Sequence, residues 1–133
     1  LALVLLLDQL PRMIFRDSPK AFSGDIRAQA LVAQGIAADF DRQLRPIQRV
    51  FIYLVFEHSE HLAVQNEGVS RYIELVAQQP DVDRALFADY LDYAEKHQKV
   101  IAQFGRFPHR NAVLGRASTA EELAFLSKPG SRF

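Results

Sequence analysis

Apolar residues recur in this chain at intervals of three and four, and no stretch alternates with a period of two for long enough to form a strand. The pattern is clear near the C-terminal third, where Leu86, Tyr90, Tyr93, His97 and Ile101 fall on one helical stripe. Prolines and glycines interrupt such stripes, which favours helices joined by short loops. We therefore predict one all-α domain over residues 1–133, built from layered antiparallel helical hairpins of the TPR-like kind.

The helix boundaries are predicted from prolines, glycines and capping residues. Pro11 lacks an N–H group and clashes with the preceding turn, so it should end or kink the first helix. Gly105 stands where a left-handed C-cap belongs, and Ser118 with Glu121 matches a capping box. The predicted helices cover residues 1–10, 11–16, 25–41, 46–56, 59–79, 81–104 and 119–127.

The composition excludes several classes of protein. Sixteen basic residues balance sixteen acidic ones, which argues against a nucleic-acid binder driven by net charge. The chain has no cysteine, so it has neither disulfides nor thiolate metal ligands, and it fits a cytoplasmic location. The longest apolar run, Leu1–Leu7, is too short to span a bilayer. Because this run is apolar on every side, we expect a preceding region of a longer protein, or a second copy of the chain, to cover one of its faces.

A polar cluster interrupts an apolar helix at residues 57–61. His58 continues the stripe of Phe51 and Val55 and should point toward the core, while Glu57 and His61 are four apart and can touch. A histidine in this setting is a general base, a metal ligand or a satisfied core histidine. The spacing matches neither HExxH nor the Glu-x-x-His pairs of di-iron bundles, so no metal site is predicted.

Two further polar segments lie near the ends of the chain. Asp8 sits in the apolar first helix and needs a partner if it is buried, and Arg12 or Arg16 is the nearest candidate along the sequence. The second segment follows Gly105 and leads into a capped helix, a position that attracts anions. Its polar residues are Arg106, His109, Arg110, Asn111 and Arg116. Arginine suits bidentate binding of carboxylate or phosphate, but it also serves to tie a loop to carboxylates of the protein itself.

These same segments carry a family resemblance. LLLDQLPRMIFRDSPKAF (5–22), FIYLVFEHSE (51–60) and GRFPHRNAVLGRASTAEELAFL (105–126) resemble the bacterial domain-of-unknown-function family 924 in order and spacing. The resemblance implies an all-helical, TPR-like fold and a further N-terminal region bearing tryptophans, but it implies no activity. The family's polar residues correspond here to Asp8, Gln9, Arg12, Arg16, Glu57, His58, Glu60, Arg106, His109, Arg110 and Asn111. It does not require a histidine at His61, which lowers the expectation that His61 is a ligand.

Three functions are compatible with these residues. The first is a binding module in which the loop of residues 105–117, here called the arginine loop, holds a small anionic ligand or an acidic peptide group. The second is a small-molecule enzyme in which His58, oriented by Glu57 or Glu60, is the general acid or base, and Asp8 orients an arginine or the imidazole. The third is a purely structural polar network. The first two require the three polar segments to meet in one place.

Overall fold

The computed structural model describes residues 1–131 and is helical throughout, with no strand among these residues. The prediction of an all-α protein is therefore confirmed. Short 3₁₀ turns at Pro19–Phe22, Asp41–Gln43 and Pro108–Arg110 lie in the connections. The α-helices within residues 1–131 are α1 (Ala2–Ile14), α2 (Asp25–Ala37), α3 (Pro46–Glu57), α4 (Leu62–Ala77), α5 (Asp81–Phe104) and α6 (Ala120–Leu126).

Helices that follow one another in the sequence pack against one another, from α1 on α2 to α4 on α5, and α3 also contacts α1 and α5. The centre of the core lies between α3 and α4, where Tyr53 and Tyr72 are fully buried with their rings edge to face at 5.7 Å. The Tyr72 hydroxyl donates to the Val50 carbonyl at 3.1 Å, which satisfies the one polar atom that its burial removes from water. The contacts with α1, α2, α4 and α5 together fix helix α3, so its C-terminal end has a defined position.

Pro11 was predicted to end or to kink the first helix, and the first of these alternatives is wrong, since α1 continues to Ile14. Proline leaves the carbonyl four residues earlier, that of Leu7, without its helical N–H partner. The backbone of Gly24 packs against this carbonyl so closely that a Cβ on Gly24 would lie 2.0 Å from the Leu7 oxygen. The tertiary contact between α1 and the start of α2 therefore lies at the turn that the proline weakens.

The C-terminal half follows the predicted boundaries with small shifts. Gly105 ends α5 with a φ of 68°, as its left-handed cap requires. The capping box of α6 is formed by Thr119 and Glu122, one residue later than the predicted pair. Helices α3 and α4 are separate, because α3 ends at Glu57 and α4 begins at Leu62. Among the described residues, no helix combines the length and the apolar character needed to cross a membrane.

Candidate functional site

A polar cavity of about 340 Å³ lies between α1, the C-terminal end of α3, the middle of α5 and the loop that precedes α6. Each of the three polar segments identified in the sequence contributes to its wall. The residues that line it are Arg12, Arg16, Asp17, Ala21, Phe22, His58, Tyr93, His97, His109 and Arg110. The structure therefore brings together residues that are about a hundred positions apart in the chain.

Asp8 and His58 form a hydrogen-bonded pair behind the wall of this cavity. His58 follows the last residue of α3, and its Nδ1 lies 2.7 Å from Asp8 Oδ1. Asp8 is 1% exposed, and Gln9 Nε2 donates to its other oxygen at 2.6 Å. Burial raises the pKa of Asp8, but the contacts with His58, Arg12 and Gln9 outweigh it and hold the pKa below its ordinary value. Asp8 is therefore ionised near neutral pH.

The charge on Asp8 determines which nitrogen of His58 carries the proton. An ionised carboxylate accepts, so Nδ1 is the protonated nitrogen and Nε2 keeps its lone pair. Burial lowers the pKa of His58 despite the opposing effect of Asp8, so the ring is neutral near pH 7. The side chain keeps 14% of its surface exposed and lines the cavity. Of the carboxylates that the sequence offered to orient His58, which are Glu57, Glu60 and Asp8, it is Asp8 that contacts the ring in the structure.

Arg12 connects the same aspartate to α2. Its Nη1 and Nη2 donate to the two oxygens of Asp25 at 2.7 and 2.9 Å. Nη1 also donates to the carbonyls of Asp8 and Ala21, at 3.1 and 3.3 Å, and lies 3.6 Å from Asp8 Oδ1. Arg12 is thus engaged on several sides by the protein and mainly holds α1, the 3₁₀ turn after it and α2 together.

Arg110 differs from Arg12 because, within residues 1–131, it makes no hydrogen bond to a carboxylate. Its guanidinium lies 4.6 Å from the ring centroid of Phe22 and 4.5 Å from that of Phe107, and 7% of the side chain is exposed. Its ion-pair partner among these residues is Asp25, whose Oδ2 lies 3.6 Å from Arg110 Nη1 and also accepts from Arg12. Within residues 1–131 no acceptor is in hydrogen-bond range of Arg110 Nε. Burial, together with the charge of Arg12, lowers the pKa of Arg110 to about 10.

A second carboxyl–imidazole pair lies next to the first. Glu57 Oε2 is 3.5 Å from His97 Nδ1, and both side chains are buried. His97 Nδ1 is 2.9 Å from the Tyr93 carbonyl, which makes it the donor nitrogen. Burial lowers the pKa of His97 to about 4 and raises the pKa of Glu57 to about 8, so this pair is uncharged near pH 7. Glu57 was predicted to be able to touch His61, but in the structure its side chain lies against His97 and Tyr72.

Several predicted site residues hold the loop after α5 in place and do not line the cavity. Glu60 accepts from the Phe107 N–H at 2.8 Å and from both terminal nitrogens of Arg116, at 2.7 and 2.9 Å. Arg106 makes a bidentate contact with Glu122 at 2.6 and 2.8 Å. These contacts correspond to the structural alternative, in which arginines tie the loop to carboxylates.

Asn111 is buried within the same loop network. Its amide nitrogen donates to Ser118 and Glu122, and its carbonyl oxygen accepts from Arg116 at 2.9 Å. His61 is exposed at the start of α4, where its backbone N–H donates to Ser59. Asn111 and His61 therefore lie outside the cavity, while Arg16 is exposed in its wall and His109 is half-buried in it.

Sequence reasoning missed some residues of the site. His97 and Tyr93 were assigned to the apolar stripe of α5, and their spacing is indeed that of core residues. Asp25 marks only the start of a predicted helix, because an acidic residue in a first turn is common and carries no signal for an ion pair. Phe22 lies in a predicted connection between helices. No pattern within the sequence distinguishes these four residues from ordinary core and surface positions.

The side chains in the cavity wall offer hydrogen-bond donors and a basic imidazole nitrogen. Arginine cannot ligate a cation, and no group of three or more metal-ligating side chains occurs in residues 1–131. A buried guanidinium offers charge-assisted donors, and the neutral His58 offers a basic nitrogen beside it. These features define an all-α protein with an arginine- and histidine-lined cavity at the junction of its helices.

Comparison with known proteins places the chain in a family. Residues 1–130 match the family described as bacterial protein of unknown function (DUF924), and the chain belongs to it, which confirms the resemblance seen in the motifs. A solved structure of a protein of unknown function from Agrobacterium tumefaciens is similar, with 36% identity and a TM-score of 0.80 over 95% of this chain. The chain spans 65% of the length of that protein. No curated protein matches the chain.

Proposed function

We propose that the polar cavity binds a small anionic ligand, a carboxylate or a phosphate, and that Arg110 is its principal cationic contact. The observation that carries this proposal is a buried guanidinium in the wall of the cavity whose Nε has no acceptor, and which has no carboxylate at hydrogen-bond distance, among residues 1–131. Buried donors in proteins are normally hydrogen-bonded, because a buried donor without an acceptor costs about 1–3 kcal/mol, and more when it is charged. An anion in the cavity would supply the missing acceptor.

The surroundings of Arg110 suit this role. Phe22 and Phe107 flank the guanidinium and restrict it to one orientation, which reduces the entropy lost when a planar carboxylate or phosphate binds. Arg16 adds an exposed positive charge in the cavity wall. The volume of about 340 Å³ lies at the lower end of the range for small-molecule sites, which favours a small ligand over an extended peptide. An acidic side chain or chain terminus of a peptide remains the alternative occupant.

Isothermal titration with inorganic phosphate, succinate and a short peptide with a free carboxylate tests the proposal. We expect binding by the wild type and loss of binding in Arg110→Met. The control is Arg27→Met, which removes the same charge from an exposed position on α2 and should leave the affinity within about twofold. Equal binding by all three proteins would reject the proposal. Binding of the peptide alone would identify the acidic peptide group as the ligand.

A second candidate function, general-base catalysis on the bound anion, is favoured by the Asp8–His58 pair. A buried carboxylate that accepts from Nδ1 of a neutral imidazole leaves Nε2 able to take a proton, which is the arrangement of a general base. Carboxylate- and phosphate-bearing esters are suitable test substrates. We expect His58→Gln to retain anion affinity and to lose any turnover. Turnover that survives this substitution would exclude His58 as the base.

A further inference from the structure

The polar cavity presents a hydrogen-bond acceptor in addition to the donors of its arginines. Nδ1 of His58 lies 2.7 Å from the buried Asp8, so Nε2, on the opposite side of the ring, is turned toward the cavity that the ring lines. Within residues 1–131 Nε2 makes no hydrogen bond, and it is not shut off from solvent. Because the ring is neutral near pH 7, Nε2 carries a lone pair and can only accept. A ligand in the cavity therefore meets an acceptor that requires a donor.

Arg110 supplies donors in the same cavity. Its Nη1 and Nη2 make no hydrogen bond within residues 1–131, and unlike Nε they are not shut off from solvent. Burial is the main cause that lowers the pKa of His58, and the charge of Arg110 contributes, as expected for two groups that are close together. Both residues line one cavity of about 340 Å³, so a short molecule can contact both. Such a molecule needs an anionic group for Arg110 and a hydrogen-bond donor for His58.

The neighbouring charges select the donor and the anion. Arg12 and Arg16 line the cavity together with Arg110, so an ammonium group on the ligand would be repelled, whereas an uncharged hydroxyl would not. Asp17 also lines the cavity, and Asp25 lies 3.6 Å from Arg110. A second negative charge on the ligand would meet these carboxylates, which favours a singly charged carboxylate over a phosphate dianion. A carboxylate that carries a hydroxyl group satisfies all of these conditions.

We propose that the polar cavity binds a short hydroxycarboxylate, whose carboxylate contacts Arg110 and whose hydroxyl donates a hydrogen bond to Nε2 of His58. This inference rests on the proposed anion site and adds the chemical class of its ligand. His58 is then the residue that distinguishes a hydroxy acid from a plain carboxylic acid, because a plain acid leaves Nε2 without a donor.

The experiment is isothermal titration near pH 7 with two hydroxy acids and the matched acids that lack the hydroxyl. The pairs are lactate with propionate, and 3-hydroxybutyrate with butyrate. In at least one pair we expect the hydroxy acid to bind about three- to tenfold more tightly, which is the net contribution of one uncharged hydrogen bond. Equal affinities within both pairs overturn this inference and leave the anion site standing. A lack of binding by all four acids overturns the anion site as well.

A methyl ether separates the donor from the oxygen that carries it. In 2-methoxypropionate the oxygen of lactate is retained, but its hydrogen is replaced by a methyl group, so it cannot donate to His58. The corresponding ether of the preferred hydroxy acid should bind no more tightly than the plain acid. An ether that binds as tightly as its hydroxy acid overturns the inference, because the gain would then not come from a donated hydrogen bond.

Two variants assign the effect to His58. His58→Leu removes the acceptor and should bring the affinity ratio within the preferred pair to about one, with the affinity for the plain acid changed by less than about twofold. His61→Leu removes a histidine from an exposed position at the start of α4 and should leave the ratio unchanged. A ratio that survives in His58→Leu overturns the inference.

A measurement on the wild type decides the question if His58→Leu does not fold. A hydrogen bond donated to the lone pair of Nε2 shifts the ¹⁵N resonance of this nitrogen upfield. We expect the hydroxy acid to shift the His58 resonance further than the matched acid does at saturation. Equal shifts with the two acids overturn the inference.

Discussion

Replacing Arg110 by methionine should stabilise the protein while it abolishes anion binding. Arg110 is 7% exposed, and its pKa is lowered from 12.5 to about 10. A basic group whose pKa is lower in the folded than in the unfolded protein reduces the free energy of unfolding at every pH below its pKa in the folded protein. For Arg110 this reduction is about 3 kcal/mol. The contacts with Phe22 and Phe107 return about 1–2 kcal/mol of this. Methionine keeps contact with both rings, so the variant should gain about 1–2 kcal/mol.

Arg116→Met is the matched control in the same loop, and its effect should have the opposite sign. Arg116 is 24% exposed, and it donates to Glu60 twice, to the Phe107 carbonyl at 3.1 Å and to Asn111 at 2.9 Å. Its removal leaves partly buried acceptors without donors, at a cost of about 2–4 kcal/mol. The comparison separates the effect of a lost positive charge, which both variants share, from the effect of lost partners.

Urea unfolding in a buffer free of phosphate and sulfate measures both effects. We expect a higher midpoint for Arg110→Met and a lower one for Arg116→Met, with the slope unchanged in each. Added phosphate at about 100 times its dissociation constant should stabilise the wild type by about 2.7 kcal/mol and leave Arg110→Met unchanged. The reasoning is refuted if Arg110→Met is less stable than the wild type by more than about 1 kcal/mol, since the guanidinium would then be compensated within the protein.

Other substitutions test separate contacts. Gly24→Ala should cost about 2–4 kcal/mol in urea unfolding, because its Cβ would lie 2.0 Å from the Leu7 oxygen; a cost below about 0.5 kcal/mol would contradict the close packing. Asp8→Asn should lower the pKa of His58 further in an NMR titration, since it removes the negative charge that favours the imidazolium, and a rise would contradict the pairing. The hydrogen bonds from Arg106 hold the pKa of Glu122 at about 2. The stability that the ionised Glu122 contributes is therefore present above about pH 4.5 and is lost as the pH falls toward 2. Glu122→Gln should therefore flatten the acid limb of the stability curve, and an unchanged limb would contradict this.

The helices could be predicted because their causes are local. The stripe of α5 and its end at Gly105 follow from spacing and from the conformational freedom of glycine. The close packing of Gly24 against the Leu7 carbonyl, at the turn that Pro11 weakens, joins residues seventeen positions apart, and no local pattern encodes it. The shift of the capping box to Thr119 has a local cause, since Ser118 and Thr119 are both good caps, and the geometry of Glu122 decides between them.

The pairing within the site could not be predicted, although the polar segments were identified. Asp8 and His58 are fifty residues apart, and their contact depends on how α1 packs against the end of α3. Nearness in sequence favoured Glu57 or Glu60 as the partner of His58, but on a helix that has just ended these side chains diverge. Glu57 faces His97, and Glu60 accepts a hydrogen bond from the arginine loop. A carboxylate near a histidine in the sequence is therefore only a candidate for its hydrogen-bond partner. The folded structure is needed to identify the actual partner.

The structural interpretation of the arginine loop and the proposed binding function concern different arginines. Arg106 and Arg116 are satisfied by Glu122 and Glu60, and these pairs fix the loop against α6 and against the end of α3. A loop held in this way can keep Arg110 in a position that it would leave if it were free to reach water. Arg106 and Arg116, which have acceptors, thus hold Arg110 in an energetically unfavourable position. This arrangement is expected where affinity for a ligand is obtained at the expense of stability.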